Sequence, residues 1–425
     1  MNIPQGYKQT ELGIIPEDWE VKSFSQIFDM YPNNTFPRDC MNNSHGEVHN
    51  IHYGDVLIKY PTIIDAAKCQ MPYLNEDVKI KTHKVVQPGD IIIADTAEDD
   101  AVGKCVEVKN VSNKKIMAGL HTFFCHPVVP FASGWLGYYI NSSNYHNQLL
   151  PYITGIKVSS ISRASIQETK LLVPPISEQR AIAEALSDVD GLIAALDKKI
   201  AKKRLIKQGA MQQLLTGKTR LPGFTDEWVE KKLGDIGVLL NGYAFKSETY
   251  NKAGTYNIIT IANVQNGKLT INDCNRLISV PSDIQEHQKL KKNDILISMT
   301  GNVGRACLVN ANDCLLNQRV GLFVVRDIQN CDKHFIFTII NDGKFENTMI
   351  ESGQGAAQAN IGKKDIEGFT FLLPITTKEQ QAIATILSDM DKEIADLEAQ
   401  RGKYRLLKSG MMQKLLTGQI RLKTE

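Results

Sequence analysis

The residues that come closest to a catalytic pattern are Asp90, Glu107 and Lys109, in the stretch PGDIIIADTAEDDAVGKCVEVK. Two carboxylates and a lysine could hold Mg²⁺ and orient a water molecule for hydrolysis of a phosphodiester. A second stretch, KNDILISMTGNVGRACLV, tests this hypothesis, because Asp294 matches Asp90 but nothing replaces Glu107 and Lys109. Asp90 is better interpreted as a turn residue after a Pro-Gly pair, and a nuclease site is not favoured.

Three histidines form a second candidate cluster, in this case for a metal ion. His45, His49 and His52 are spaced four and three apart, as they would be on one face of a helix. Gly46 and Gly54 argue against a helix, so we expect exposed loop histidines and no metal site.

Signature motifs for methyl transfer and for ATP hydrolysis are absent from the sequence. An adenine methyltransferase would need an N-P-P-aromatic or D-P-P-Y motif, and neither occurs. There is no G-x-x-x-x-G-K-[ST] motif, and SGQGAAQ is a poor glycine-rich fingerprint because it follows a helical pattern. The chain is therefore not expected to bind a cofactor or to catalyse a reaction on its own.

The composition is that of an ordinary globular protein. The 425 residues suggest two or three domains, and the formal net charge of +2 means that any basic surface must be local. No run of about 18 apolar residues predicts a membrane span, and the polar N-terminus MNIPQGYKQTELG lacks a signal-peptide core. Eight scattered cysteines without a C-x-x-C pair favour free thiols in a cytoplasmic protein.

One helical segment occurs twice in the chain. Aligned from Glu178 and Glu379, about 25 of roughly 44 positions are identical, at an offset of about 200 residues. Fainter similarities, such as that between IPEDWEVKSFSQIF and FTDEWVEKKLGDIG, extend the duplication beyond the helix. The sequence therefore predicts two half-units, each with a globular segment followed by a long helix.

Apolar residues at heptad spacing run along both helical copies. They are Ile182, Leu186, Val189, Ile193, Leu196 and Ile200 in the first copy, and Ile383, Leu387, Met390, Ile394 and Leu397 in the second. We expect helices of about 28 residues that end near Gly209 and Gly410, each followed by a short amphipathic piece. A narrow seam favours an intramolecular two-helix coiled coil over packing of each helix on its own globular segment.

The globular segments are predicted to mix helices and strands. The expected strands are IIIAD, CVEV, ILISM, ACLV and QRVGLFVV, and the expected helices lie in GWLGYYINSSNYHNQLLPYI and HFIFTIINDGKFENTMI. Each helical stretch is followed by a polar segment, TGIKVSSISRASI or SGQGAAQANIGKKDI. Small residues, amides and cations in one segment are typical of loops that contact phosphates or read bases.

The sequence resembles the specificity subunits of type I restriction–modification systems along nearly its whole length. The resemblance lies in ELGIIPEDWEV, PPISEQRAIAEALSDVD and LLTGKTRLPGF, in their second copies, and in NIHYGDVLIKYPTIID, GLHTFFCHP and LNGYAFKS. It implies an α+β fold with internal duplication. Two globular mixed α/β target-recognition domains, residues 1–165 and 223–368, would be separated by a long antiparallel two-helix coiled coil formed by residues 166–222 and 369–425.

The resemblance also implies partners. Each target-recognition domain would read one half of a split, asymmetric site in double-stranded DNA, and the helices would set the spacing and dock two modification subunits. Restriction subunits would complete the assembly, and S-adenosylmethionine, Mg²⁺ and ATP would bind to partner subunits in the cytoplasm. Two alternatives stay open: a specificity subunit of a bipartite type II-like or stand-alone methylation system, and a coiled-coil scaffold that does not bind DNA.

Two sets of residues are assigned to binding. The expected DNA contacts are Lys157, Ser159, Ser160, Arg163, His121, Tyr243, Lys246, Arg305, Gln354, Gln358, Asn360 and Lys363. For His121, a partly buried structural role is an equal alternative. The expected contacts with modification subunits are Gln179, Asp188, Gln380 and Asp389 in the first turns of the long helices, with helix capping and solubility as the alternative.

Overall fold

The computed structural model describes residues 3–80, 84–155, 157–353 and 359–422. Contacts divide the chain into two compact units, and each unit takes a segment of both long helices. Unit 1 comprises Met1–Lys198 and Ala399–Glu425, and unit 2 comprises Lys199–Glu398. The packing thus divides the chain inside the two long helices. Among the described residues, no helix combines the length and the apolar character that a membrane span requires.

Unit 1 combines short strands with short helices and the first part of a long helix. Its strands are β1 (Tyr7–Thr10), β2 (Gly13–Pro16), β3 (Glu20–Ser23), β4 (Phe28–Tyr31), β5 (Met41–Asn42), β6 (Val48–Ile51), β7 (Ile63–Asp65), β8 (Tyr73–Leu74), β9 (Ile91–Ala94), β10 (Thr96–Ala97), β11 (Cys105–Lys109), β12 (Lys115–Ala118), β13 (Thr122–Pro127), β14 (Ser159–Ser160) and β15 (Lys170–Val173). Its helices are α1 (Phe24–Ile27), α2 (Tyr53–Ile58), α3 (Trp135–Ile140), α4 (Ser143–Leu149), α5 (Arg163–Gln167) and the start of α6 (Ile176–Leu214).

A five-stranded sheet in the order β4-β13-β9-β11-β7 forms the centre of unit 1. Its middle strand β9 is fully buried, which explains why its sequence is a continuous apolar run instead of an alternating one. Ile91 and Ile93 pack against α3 and α4, whereas Ile92 and Ala94 pack towards the second sheet, β12-β6-β8-β5. The sheet is therefore covered on both faces, and its loops are free to carry function at its edge.

Unit 2 repeats this plan with a smaller central sheet. Its strands are β16 (Trp228–Lys232), β17 (Gly237–Asn241), β18 (Tyr256–Ile259), β19 (Val264–Gln265), β20 (Lys268–Leu269), β21 (Asn275–Leu277), β22 (Lys289–Leu290), β23 (Ile295–Ser298), β24 (Ala306–Leu308), β25 (Cys314–Leu316), β26 (Val320–Val325) and β27 (Thr370–Pro374). Its helices are α7 (Leu233–Ile236), α8 (Lys333–Ile340), α9 (Gly343–Ser352), α10 (Lys363–Glu367) and the start of α11 (Thr377–Leu415). The central sheet has the order β17-β26-β23-β24, and the second sheet has the order β21-β18-β25-β22.

The two long helices, α6 and α11, are 39 residues each, and neither breaks where the sequence suggested. The predicted ends at Gly209 and Gly410 are wrong. Both glycines are exposed, with open space around them, and a glycine inside a helix costs only about 1 kcal/mol relative to alanine. That cost is offset by the leucines of the next turn, which are buried in the globular cores.

Each long helix ends beside a pair of buried leucines, and a glycine follows the pair. Leu214 and Leu215 belong to the core of unit 2, and the equivalent Leu415 and Leu416 belong to the core of unit 1. The glycines that follow, at positions 217 and 418, have φ values of +67° and +70°. This left-handed conformation ends a helix and favours glycine, because a side chain there would be strained.

Ion pairs join α6 to α11 within each unit, and their order shows that the helices run antiparallel. The pairs are Asp190–Lys408 (2.7 Å) and Asp197–Arg401 (2.8 Å) in unit 1, and Lys203–Glu393 (2.7 Å) and Lys207–Asp391 (2.5 Å) in unit 2. Partly exposed pairs of this kind contribute about 0–1 kcal/mol each, so the buried seam residues Ile200, Ile394 and Leu397 contribute more to pairing.

The first turns of α6 and α11 pack on the globular segments, as in the alternative to the coiled coil, and do not pair with each other. Ile182 and Leu186 belong to the core of unit 1, and Ile383 and Leu387 belong to the core of unit 2. Each helix therefore leaves its globular core and then pairs with the other helix. The heptad pattern did not separate these two environments, because both require one apolar stripe.

A buried carboxylate fixes the start of α6 in unit 1. Glu178 is 2% exposed and accepts hydrogen bonds from Nε1 of Trp19 (2.9 Å) and from the guanidinium of Arg421 (2.6 and 3.1 Å). Arg421 also donates two bonds to Asp18, at 2.7 and 2.9 Å. These bonds raise the pKa of Arg421, and its pairing lowers the pKa of Asp18.

The same arrangement recurs at the start of α11 in unit 2. Glu379 is fully buried and accepts two bonds from Arg220, at 2.7 and 2.8 Å, and one from Nε1 of Trp228 at 3.3 Å. Arg220 follows the end of α6, as Arg421 follows the end of α11. We call Glu178 and Glu379 the anchor carboxylates, because each ties the start of one long helix to the segment after the other.

We predict that Arg421→Ala lowers the free energy of unfolding of unit 1 by about 1.5–3 kcal/mol, because the buried Glu178 then loses its charged partner. A double-mutant cycle with Glu178→Ala, read by urea denaturation, should give a coupling energy of similar size. Arg405→Ala is the matched control, since Arg405 meets Asp197 at 3.7 Å with both side chains exposed, and should cost less than about 1 kcal/mol. Equal losses for the two arginine variants would contradict the anchor role.

Candidate nucleic-acid interface

Four loops of unit 2 meet at one end of its central sheet, where strands begin or end. Residues 242–246 follow β17, 299–302 follow β23, 317–319 precede β26, and 359–362 precede α10. Backbone hydrogen bonds hold them together: Tyr243 N to Leu316 O (2.8 Å), Gln318 N to Tyr243 O (3.0 Å), Met299 N to Arg319 O (3.0 Å), Gly301 N to Ala359 O (2.9 Å) and Ile361 N to Met299 O (2.9 Å). We call this arrangement the unit 2 loop cluster.

Unit 1 carries an equivalent cluster at the same end of its own sheet. The joining bonds are Asn34 N to Ala118 O (2.9 Å), Asp95 N to His121 O (3.1 Å) and Ile161 N to Asp95 O (2.9 Å). Strand register makes the two clusters comparable residue by residue, because Thr122 pairs with Ala94 in unit 1 as Val320 pairs with Ser298 in unit 2. His121 therefore corresponds to Arg319, which is the residue before each of these strands.

Most of the unit 1 residues predicted to contact DNA lie on this loop cluster. Lys157 is exposed, Ser159 and Ser160 are half-buried in β14, and Arg163 is exposed at the start of α5. One nitrogen of the Arg163 guanidinium donates to the carbonyl of Met30 at 3.2 Å, which ties α5 to the end of β4. The structure thus brings these four residues together at one surface.

His121 is exposed and lies in the left-handed region, at φ +54°. Its Nδ1 is 3.2 Å from the Asp95 carboxylate and 3.4 Å from the Thr96 hydroxyl, and the ring meets the Tyr53 ring edge-on. The side chain is 47% exposed, so the partly buried structural role stays an alternative to a contact with DNA. An exposed imidazole held by a carboxylate is compatible with contact to DNA.

Of the unit 2 residues predicted to contact DNA between positions 354 and 363, two are described by the structure and two are not. Asn360 is exposed, and its side-chain oxygen accepts from the Thr300 hydroxyl at 3.1 Å. Lys363 is exposed at the start of α10, with its ammonium 3.6 Å from Glu367. The predictions for Gln354 and Gln358 fall outside the described residues.

Tyr243 and Lys246 lie on the unit 2 loop cluster, whereas Arg305 is committed to other residues. The Tyr243 hydroxyl donates to Asp283 at 2.8 Å, which raises its pKa, and Lys246 is exposed nearby. The Arg305 guanidinium lies 3.6 Å from Glu346 and donates to the Gln265 side chain at 3.2 Å. Its charge is thus balanced within the unit, so a role in contact with DNA is less favoured than for the loop residues.

Two exposed residues of the unit 2 loop cluster were not predicted from the sequence. QRVGLFVV was assigned to a strand, but β26 begins at Val320, so Gln318 and Arg319 lie in the preceding turn. Both side chains are exposed. The available signal was the polar pair in front of an apolar run, which marks the turn and not the strand.

The partner contacts predicted for Gln179 and Gln380 require exposed side chains, and both side chains are buried. The Gln179 amide accepts from Ala132 N (3.0 Å) and donates to Pro174 O (2.8 Å). The Gln380 amide accepts from Asp332 N (2.7 Å) and donates to two carbonyls in unit 2. They fix the start of each helix to its own globular core, so direct contact with a partner subunit is not open to them.

Asp188 and Asp389 differ from these glutamines because both are exposed and lie outside the ion pairs of the described residues. Exposed apolar pairs also occupy matching positions further along the two helices: Leu205 and Ile206 on α6, and Leu406 and Leu407 on α11. Large apolar side chains that are exposed at duplicated positions are typical of a protein–protein contact.

The residues that came closest to a nuclease pattern have structural roles. Asp90 is buried, accepts from Gln87 N in the predicted turn, and meets His126 Nδ1 at 2.6 Å. Glu107 is buried and accepts from Gly134 N and Gly137 N. Burial raises the pKa of both carboxyls, and within the described ranges no group of acids, histidines and cysteines has the geometry of a metal site.

The prediction of exposed loop histidines is wrong for two of the three. His49 is 6% exposed in β6 and its Nδ1 lies 3.1 Å from the Met71 carbonyl, whereas His52 is 7% exposed and caps α2 through Gly54 N. Burial lowers the pKa of both rings. Only His45 is exposed. Sequence spacing could not reveal this burial, because it depends on strands that are distant in the chain.

The sequence and the fold are similar to those of known proteins. The type I restriction modification DNA specificity domain matches residues 16–203 and 225–403. The MjaX type I restriction enzyme specificity subunit of Methanocaldococcus jannaschii is 26% identical over 99% of this chain and 98% of its own length. The EcoKI type I restriction enzyme specificity subunit of Escherichia coli is 25% identical over 72% of this chain and 68% of its own length. The fold is similar to that of a type I restriction-modification S subunit from M. genitalium, with a TM-score of 0.58, 13% identity and 98% of each chain covered.

We predict that Lys363→Ala weakens binding to duplex DNA uniformly across sequences and reduces the salt slope of the binding constant by about one unit, because one phosphate contact is lost. The measurement is a titration at several salt concentrations with matched and scrambled duplexes. Lys344→Ala is the control, since Lys344 is exposed in the first turn of α9 and is not part of the loop cluster. An unchanged slope for the Lys363 variant would place the DNA elsewhere.

Proposed function

The chain belongs to the family of type I restriction modification DNA specificity subunits, and we propose that its two units read the two halves of one split site in double-stranded DNA. The observation that carries this proposal is the duplicated loop cluster. Each of the two segments that match the family places polar and cationic side chains at the same end of the strands of its central sheet. Loops held by a rigid sheet suit base recognition, because the groups that read a base edge must be fixed in position.

The two half-sites differ in sequence under this proposal, because equivalent positions of the clusters carry different chemistry. His121 and Asp95 in unit 1 correspond to Arg319 and Met299 in unit 2. A histidine beside a carboxylate and an arginine beside a thioether offer different donors and acceptors to a base edge. The full site is therefore asymmetric.

Modification subunits dock, in this proposal, on the exposed face of the paired helices, one at each copy of the repeat. The duplicated apolar pairs and the exposed Asp188 and Asp389 support this placement. The chain itself carries out no chemistry: modification subunits bring S-adenosylmethionine, and restriction subunits bring ATP and Mg²⁺. The assembly acts in the cytoplasm, where its DNA substrate is.

We predict that reversing the charge of both aspartates, with Asp188→Lys and Asp389→Lys, abolishes assembly with modification subunits but leaves the chain folded, because both residues are exposed. Size-exclusion chromatography of the co-expressed subunits measures assembly, and circular dichroism checks the fold. Asp39→Lys with Asp273→Lys makes the same change of charge at exposed positions of the globular segments and should not affect assembly. Normal assembly of the helix variant would move the docking surface away from this face.

The proposed function is tested by methylation of a DNA library in which two random half-sites are separated by variable gaps. The wild-type complex should methylate two different half-sites at one fixed gap. A heptad inserted in both helices, after Lys198 and after Glu398, keeps the seam in phase and adds about 10 Å. The preferred gap should then grow by about three base pairs, with a loss of affinity because one half-site also turns by roughly 100° around the duplex.

Two outcomes of the library experiment would contradict the proposal in different ways. Methylation without sequence preference by the wild-type complex would reject a role in recognition. Methylation of the original gap at the wild-type rate by the double insertion would show that the helices do not set the spacing. An insertion in α6 alone is the control, and it should destabilise the protein because the two seams no longer match.

A further inference from the structure

A tight turn precedes β26 and places two polar side chains at its corners. Asn317 is 5% exposed, its side-chain oxygen accepts from Arg319 N (3.2 Å), and its carbonyl accepts from Val320 N (2.9 Å). The two bonds close a four-residue turn in which Gln318 and Arg319 occupy the central positions. The backbone of both residues is therefore fixed while their side chains are exposed.

This turn lies in the middle of the unit 2 loop cluster. Gln318 N donates to the carbonyl of Tyr243, and Arg319 accepts at its carbonyl from Met299 N, both at 3.0 Å. The loop that begins at Met299 is in turn bonded to the segment before α10, through Gly301 N and Ala359 O. Each of the other three loops is therefore linked to the turn directly or through one neighbour.

No carboxylate among the described residues forms an ion pair with Arg319 or with Lys246, whereas two other cations near the cluster are paired. Arg305 meets Glu346 and Gln265, and Lys363 meets Glu367. In unit 1 the equivalent His121 lies beside the carboxylate of Asp95, but Met299 takes the place of Asp95 in unit 2. An exposed guanidinium that pairs with no carboxylate of the described residues is available to a ligand that accepts hydrogen bonds.

We propose that this turn reads bases in the unit 2 half-site, and that Arg319 recognises a guanine in the major groove. The inference rests on the proposed function and adds a specificity residue to it. A planar guanidinium can donate two parallel hydrogen bonds to O6 and N7 of guanine, which is the most common specific contact in the major groove. The amide of Gln318, at the adjacent corner, suits an adjacent base that offers both a donor and an acceptor, such as adenine.

A base contact is favoured over a phosphate contact because of the position and rigidity of the turn. Phosphate contacts fix the protein along the duplex and tolerate flexible cations at the margins, such as Lys363 on α10. Base readout favours a donor fork on a fixed backbone, and the bonds that Asn317 accepts from Arg319 N and Val320 N fix the backbone of this turn. The central position of the turn places the fork among the other polar side chains of the cluster.

The test compares Arg319→Ala with the wild-type chain, each assembled with modification subunits, by methylation of the library with random half-sites. We expect one half-site position to change from guanine to several bases, with discrimination reduced by roughly 10- to 100-fold. The other half-site should be unchanged by this variant, and His121→Ala should affect only that other half. Arg319→Lys should recover little discrimination, because an ammonium lacks the planar fork.

Arg326→Ala is the matched control, since Arg326 is exposed at the opposite end of the same strand, and it should leave the half-site unchanged. A uniform loss of affinity for Arg319→Ala, with the salt slope lower by about one unit, would overturn the inference and assign Arg319 to a phosphate. Unchanged recognition would also overturn it but would leave the proposed function in place. If the wild-type complex recognises no sequence, the proposed function itself fails.

Discussion

The two anchor carboxylates are the interaction on which the architecture of each unit depends. A carboxylate at the start of a long helix is buried, and burial of an unpaired charge would cost several kcal/mol. Glu178 and Glu379 avoid this cost only because Arg421 and Arg220 approach from the segment after the opposite helix. The globular core, the start of one helix and the end of the other are therefore held at one point. The indole nitrogens of Trp19 and Trp228 donate one further hydrogen bond to each of the two carboxylates.

The central sheets are the second part of the scaffold, and they hold the loop clusters. The central sheets are buried on both faces, and backbone hydrogen bonds connect the loops at the ends of their strands to one another. Sequence differences between the units can then change the exposed chemistry without changing the scaffold. The exchange of Asp95 for Met299 at equivalent positions shows this, because the same backbone bond is made in both units, from residue 95 to His121 and from residue 299 to Arg319.

Local patterns in the sequence predicted what depends on neighbouring residues. The heptad spacing predicted the long helices and their pairing, the family resemblance added the antiparallel direction, and the apolar runs predicted β9 and β23. The predicted helix ends failed because the exposed Gly209 and Gly410 have a weak local effect, while the buried leucines beyond them depend on a distant core. The anchor carboxylates could not be predicted for the same reason, since 243 residues separate Glu178 from Arg421. Arg319 was wrongly included in a strand, because it lies just before the first residue of β26. Periodicity is least informative at the ends of strands.

The burial of Leu415 and Leu416 in the core of unit 1 has a consequence for the order of events on the ribosome. Unit 2 is continuous in the chain, from Lys199 to Glu398, so all its core residues leave the exit tunnel in one stretch. Unit 1 also needs residues from Ala399 onward, and its core stays open until they have been synthesised. The segment translated first can therefore close only after the residues from Ala399 onward have been synthesised, and until then it exposes apolar surface. During that interval the nascent N-terminal half is the part of the chain that chaperones would bind and that would aggregate in their absence.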